Sequence, residues 1–311
     1  MKTPFGEIEL WDGHLHFLSR KFFESLAKMS PHTTDTNNAN IEEAIKALTG
    51  FEVPPEDPLE LAKRWLDELQ KHEVAAALLI ASIPNDEESV AAAVKYRPGT
   101  FYGAFFFDPT QPQVEARAKR ALDELGLSVA CLFPAMHHYS IAECEGVRVL
   151  AELAANKPRA IFVHCGVLSI GIRQRLGIAG KYDLRFSNPL DLHIVAKQFP
   201  QTKFIIPHFG AGMFREALMV ADQCPNIYLD TSGTNAWMKY ETLELDLAKV
   251  YKKAAAVIGY ERLIFGTDSS FFPRGWQRKI LQLQLSALEQ AGADAEQASK
   301  VLGGNLKSLL S

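Results

Sequence analysis

Short apolar runs recur along the chain, and a longer stretch with helical periodicity follows most of them. The runs are EIELWD (Glu7–Asp12), VAAALLIAS (Val74–Ser82), FYGAFFF (Phe101–Phe107), SVACLF (Ser128–Phe133), AIFVH (Ala160–His164), KFIIPH (Lys203–His208), NIYLD (Asn226–Asp230) and RLIFGTD (Arg262–Asp268). Near-continuous apolar character marks strands covered on both faces, as in a parallel sheet. Between them, DPLELAKRWLDELQKH (Asp57–His72) sets Leu61, Trp65 and Leu69 on one face with charges opposite. DEESVAAAVKYR (Asp86–Arg97) opens with acids, QVEARAKRALDELG (Gln113–Gly126) stops at glycine, and PLDLHIVAKQFP (Pro189–Pro200) starts at one proline and stops before another. The tail DAEQASKVLGGNLKSLL reads as helices with a Gly-Gly break.

Eight strand-then-helix units predict an α/β fold, a (β/α)8 TIM barrel occupying residues 1–311 as one domain. A doubly wound open sheet is the alternative. It normally needs fewer strands, and no G-x-G-x-x-G follows the first run, which argues against a dinucleotide site. One stretch breaks the rhythm: residues 30–58 hold SPHTTDTNNAN, a short helical piece and FEVPPEDP. That is too long for a plain βα connection. Following the first strand, it is expected to hang over the barrel mouth as a lid, with a surface excursion used in subunit contacts as the alternative.

Composition narrows the classes. Of 311 residues, 47% are hydrophobic and 23% charged, as in a soluble globular protein. The formal net charge is -4 with both signs interspersed, so neither nucleic acid nor an anionic membrane surface is an expected partner. No apolar stretch reaches the roughly 20 residues of a membrane span. Glu7, Glu9 and Asp12 interrupt any signal-peptide core, and a cytoplasmic location is expected. Cys131, Cys144, Cys165 and Cys224 are scattered, as reduced thiols are.

In such a barrel the strand ends face the active-site mouth. The first run ends near Asp12, His14 and His16, the fifth at His164, the sixth at His208 and the eighth at Asp268. Side chains two apart on an extended strand share a face, so His14 and His16 can reach one ion from one side. His164 and Asp268 can complete a divalent-metal shell with one position open. Taken singly, each has a plainer reading: H-x-H by chance, His164 as a core histidine, Asp268 as an N-cap. Asp230 also ends a strand and can simply cap the TSG turn.

The stretches DGHLHF, FVHCG, IIPHFGAG, NIYLDTSG and LIFGTDSSFFP, in that order, resemble the amidohydrolase superfamily. NPLDLHIVAKQFPQTKFIIPHFG followed by CPNIYLDTSG resembles its amidohydrolase-related branch, as does the terminal GGNLKSLL. The resemblance is weakest from Ser30 to Pro58. It implies that His14, His16, His164 and Asp268 are metal ligands and that His208 stands beside the metal, serving catalysis with Asp268. Two-metal members carry a bridging lysine on the fourth strand; here SVACLFP puts Cys131 near that place, so one divalent ion, zinc, is expected. The branch holds hydrolases and non-oxidative decarboxylases. A metal-dependent hydrolase of a small carboxylated or aromatic molecule is the primary expectation and a decarboxylase the second. A catalytically silent ligand-binding barrel is the third.

Arg274, in FFPRGW after the eighth strand, suits a substrate carboxylate or a solvated surface position. His137, in PAMHHY after the fourth, can line the mouth or face solvent. Phe17, Phe133 and Trp237 can form an aromatic wall, with core packing the stronger expectation for Phe133. A homodimer is the expected assembly.

Overall fold

In a computed structural model describing residues 1–33, 41–233, 236–242 and 244–311, the eight runs form one parallel sheet. Its strands are β1 (Leu10–His16), β2 (Val74–Ile80), β3 (Phe101–Phe107), β4 (Val129–Leu132), β5 (Ala160–Val163), β6 (Lys203–Ile206), β7 (Ile227–Asp230) and β8 (Leu263–Ile264), paired in chain order. The ring closes where β1 meets the chain at and beyond β8. The Gly13 N–H donates to the Phe265 carbonyl at 2.8 Å, Asp268 N–H to His14 O at 2.9 Å, and His16 N–H to Ser269 O at 2.7 Å.

Two strand ends differ by four residues from the sequence expectation. β1 continues through His16, because the backbone ladder to β2 (Leu15 opposite Leu79, His16 opposite Ile80) is indifferent to the histidines' polarity. The regular part of β8 stops at Ile264, well short of Asp268, whose φ of +57° lies in the left-handed region that strands exclude.

The barrel interior is filled by side chains including Trp11, Leu78, Phe106, Cys131, Phe162 and Ile264, and is plugged at its lower end by Leu306, Leu309 and Leu310 of the C-terminal helix. The outer faces of the strands pack on the helices, with Trp65 of α3 (Pro58–Lys71) fully buried. Asp57 caps α3, accepting from Leu59 N–H at 2.9 Å, so the residue read as the helix start is its N-cap. A third apolar cluster lies at the mouth. There Phe22 and Phe23 of α1 (Arg20–Met29) and Ile45 of α2 (Ile41–Thr49) pack with Phe51, Ile172 and Leu176. The described part of the 30–58 insertion therefore packs over the mouth; its residues 34–40 lie outside the described residues. Among the described residues no helix is long and apolar enough to cross a membrane.

Asp12 ties the closing seam. Fully buried, its carboxylate accepts from His14 N–H (2.9 Å), Thr267 N–H (3.0 Å), Thr267 Oγ1 (2.5 Å) and Trp276 Nε1 (2.8 Å). Burial pushes its carboxyl up to about 6, against the donors that favour its charge. Gly266 lets the same region close: a Cβ there would stand 2.7 Å from His14 Cβ and 2.9 Å from Ser232 Cβ. Asp12→Ala strands these buried donors and is expected to destabilise the fold by about 3 kcal/mol or more, readable as a lowered denaturant midpoint. An unchanged midpoint would show that the seam does not depend on this carboxylate.

Candidate metal centre

Three ligand atoms converge at the barrel mouth: His14 Nε2, His16 Nε2 and Asp268 Oδ1. His14 Nε2 and His16 Nε2 are 3.3 Å apart, His16 Nε2 and Asp268 Oδ1 3.2 Å, and His14 Nε2 and Asp268 Oδ1 3.8 Å. Two atoms bonded to one tetrahedral zinc at 2.0–2.1 Å lie about 3.4 Å apart, so the spacing suits one ion. The two rings are also aimed. His14 Nδ1 donates to Asp230 Oδ2 at 2.6 Å, and His16 Nδ1 lies 2.8 Å from Ser82 Oγ. With Nδ1 engaged in each, the Nε2 lone pairs face the shared point, which is how outer partners orient metal-binding imidazoles.

His164 is brought to the same cavity but stands outside that three-residue group. Its Nδ1 is buried with no hydrogen-bond partner among the described residues, the kind of orphan that a ligand would satisfy. Burial, then the nearby His208 and His14, hold its pKa down at about 3, leaving it neutral. The His208 ring lies 5.0 Å from that of His14 and 5.5 Å from that of His164, centre to centre. His208 Nδ1 donates to Ser232 O at 3.1 Å, which leaves Nε2 as its proton-accepting atom. Burial and the charge of His14 lower its pKa as well. Both His208, at φ +54°, and Asp268 hold left-handed backbone, a strained state that side-chain and loop contacts must sustain.

The charges are unequal. Burial disfavours the imidazolium of His14, yet the charge and hydrogen bond of Asp230, aided by Asp268 and Asp12, raise its pKa to about 9. Burial also opposes ionisation of Asp268, but the His16 hydrogen bond and the positive potential of His14, His16 and His208 hold its carboxyl well below the usual carboxylate range. Its side chain retains 37% exposure, so solvent screens part of this effect.

A cavity of 380 Å³ opens above these groups. Phe51, Phe106, Phe133 and Phe162 line it, with Arg175 and Arg274 as its cations. Phe51 of the insertion stacks on Phe271 with ring centres 3.4 Å apart and planes 10° from parallel, and Arg274 lies over Phe271 at 4.2 Å. Arg274 Nη2 donates to Ser270 Oγ at 2.8 Å.

Phe133 lines this cavity, and Trp237 lines an adjoining one. Two residues expected on the substrate side lie elsewhere. Phe17 follows His16, and strand alternation turns it to the opposite face, where it is fully buried in the core between strands and helices. His137 sits in a short helix (Pro134–His137), edge-on to Phe106 at 5.1 Å and 3.8 Å from Asp108, away from the cavity lining. Asp230 does cap the turn, accepting from Ser232 N–H at 2.5 Å, and also orients His14. Nothing in the sequence pattern marks Arg175. A place two residues past a strand, β2 and β7, is the available signal for Ser82 and Ser232.

The sequence matches the family profile described as Amidohydrolase over residues 11–309. It is 28% identical over 108 residues, 35% of this chain, to Protein fluG of Emericella nidulans; the match spans 12% of fluG's length. Among solved structures it resembles the manganese-bound 5-carboxyvanillate decarboxylase LigW2 of Novosphingobium aromaticivorans. Identity is 14% and the TM-score 0.63, with 100% of this chain and 99% of that one covered. It also resembles a probable 2-pyrone-4,6-dicarboxylic acid hydrolase, ABAYE1769, of Acinetobacter baumannii, at 13% identity and TM-score 0.56, covering 97% and 99%. At these identities the structural likeness is one of fold.

Two outcomes follow from the geometry. His16→Ala is expected to lose the metal while His208→Ala retains it, as read by elemental analysis of purified protein; equal loss in both would place His208 among the ligands. Below a pKa of about 9 the metal-free His14 carries a proton that Nε2 must give up to bind an ion. Metal binding at pH 7 should therefore release a proton, and affinity should rise with pH up to that value. Calorimetry in buffers of different ionisation enthalpy checks this, and no buffer dependence would contradict it.

Proposed function

This chain belongs to the amidohydrolase family, and from that premise we propose that it is a single-metal hydrolase of a small carboxylated substrate. The observation that carries the reading is the convergence of His14 Nε2, His16 Nε2 and Asp268 Oδ1 beneath a cavity walled by phenylalanines and two arginines. Two imidazole nitrogens and a carboxylate oxygen suit zinc, with His164 as the fourth protein ligand. One ion is proposed because β4 offers Cys131, a fully buried thiol whose pKa burial pushes up, where a bridging lysine would be needed.

When bound, the ion supplies Lewis acidity, acidifying a water and polarising a carbonyl. The protein's own groups do the rest. Asp268, ionised, accepts a proton from the water; His208, neutral, takes up that proton at Nε2 and delivers it to the leaving group. Arg175 and Arg274 pair with a substrate carboxylate; no carboxylate ion pair with either is found among the described residues. The cap formed by α1, α2 and Phe51 acts as a lid that excludes bulk water.

The aromatic wall favours a second reading. The LigW2 structure holds manganese and 3-methoxy-4-hydroxy-5-nitrobenzoic acid, and a ring-bearing acid would suit the phenylalanines here. In a decarboxylase the same His208 and Asp268 would manage the proton delivered to the ring carbon.

Purified protein is expected to hold about one equivalent of zinc or a similar ion and to release acid from a lactone or amide in a panel that also contains aromatic acids. His208→Ala should cost roughly 100-fold or more in kcat. Carbon dioxide release from the aromatic acids, without acid release from the others, would replace the hydrolase with the decarboxylase.

A further inference from the structure

Two cavities meet at Asp268, His164 and His208. The cavity under the cap, 380 Å³, and a second one of 470 Å³ share His164, Leu168, Ser169, His208, Gly233 and Asp268 in their linings, while His14 and His16 line the first alone. The first carries the phenylalanines, Arg175 and Arg274. The second is lined by Trp237, Lys239 and Tyr240 of the short helix Ala236–Tyr240 after β7, with Ser232 and with Ser169, which lines both. Its chemistry differs: indole, ammonium and hydroxyl donors replace the phenyl wall. Lys239 lies over the Tyr240 ring at 5.1 Å, and no carboxylate stands within ion-pair distance of it among the described residues.

A reactive centre at the bottom of one pocket suits a substrate that enters by one end. A centre at the waist between two pockets suits a bond with a sizeable group on each side. Each cavity falls within the ordinary range for small-molecule sites, roughly 300–1,000 Å³. The first suits a ring with a carboxylate near the arginines. In the second, Lys239 is the cation outside the metal group, and an anion is the partner it lacks.

We propose that the second cavity is a leaving-group subsite for a carboxylate. The substrate class is then an amide or ester of an aromatic acid whose leaving amine or alcohol carries a carboxylate toward Lys239. This rests on the hydrolase reading above. In the amide case the water oxygen bonds to the acyl carbon and the carbon–nitrogen bond breaks. One water proton goes to the leaving nitrogen and the other stays on the acid formed, to be lost at neutral pH; no oxidant or reductant is needed.

The test compares N-(4-carboxybenzoyl)glycine with its C-terminal amide, which differ only in the far carboxylate. Binding to the metal-loaded full chain is read by calorimetry and by the Trp237 indole N–H resonance, assigned by its loss in Trp237→Phe. The acid is expected to bind about fivefold more tightly than the amide, the upper end for a cation at a solvated rim, and to shift that resonance. Lys239→Met should abolish the preference and leave the affinity for the amide unchanged. Equal affinities in the unmodified protein, or a preference that survives Lys239→Met, would overturn the subsite. Product analysis separates the two readings: amine released from both compounds with no binding preference keeps the hydrolase and removes the subsite. A Lys239-dependent preference with no amine released from either keeps the carboxylate site and removes the hydrolase.

Discussion

The closing seam of the barrel is the constraint from which the site derives. β1 carries His14 and His16, and the turn beyond β8 carries Asp268; the two are far apart in sequence and meet only because the ring closes. Asp12 holds that junction, accepting from His14 N–H on one side and from Thr267 and Trp276 on the other. A buried carboxylate is costly without partners, and here its partners are the elements that must be held together. The Asp268 N–H to His14 O bond then sets the Asp268 carboxylate beside His14, both of them candidate ligands.

Around this seam the candidate ligands are held by residues that do not join them. Asp230 engages His14 Nδ1 and Ser82 lies against His16 Nδ1, so each ring has its second nitrogen committed to the centre. Ser232 lies within hydrogen-bonding distance of both His14 and His208, linking the proposed ligand and the proposed proton carrier. Such a network confers direction as well as position, because an imidazole with one nitrogen engaged has a defined lone pair. The left-handed backbone at His208 and Asp268 belongs to the same arrangement: both side chains are presented from turns that an unsupported chain would seldom hold.

Above the centre the chemistry is divided. Phenylalanines and arginines lie under the cap, and a lysine with hydroxyls lines the second cavity from the short helix Ala236–Tyr240 after β7. The cap is joined to the loop after β8 by the Phe51–Phe271 stack and by the Glu52 N–H to Phe272 O bond at 2.8 Å. The insertion is therefore part of the wall around the first cavity, and its apolar character follows from what it covers.

The sequence by itself determined the layered fold, because buried parallel strands must be apolar along their whole length and the helices between them must be apolar on one face. It also made the H-x-H pair legible, since strand periodicity puts alternate residues on one side. The same periodicity applied one residue further would have sent Phe17 to the core, as the structure does. Tertiary structure alone decided what depends on elements distant in sequence: the union of Asp268 with His14 and His16, the bonds of Ser82 and Asp230 to the histidine rings, and the removal of His137 from the cavity lining. It also decided the meeting of two cavities at one centre. These are contacts between strand ends and loops, and loops carry no hydrophobic period from which their neighbours can be read.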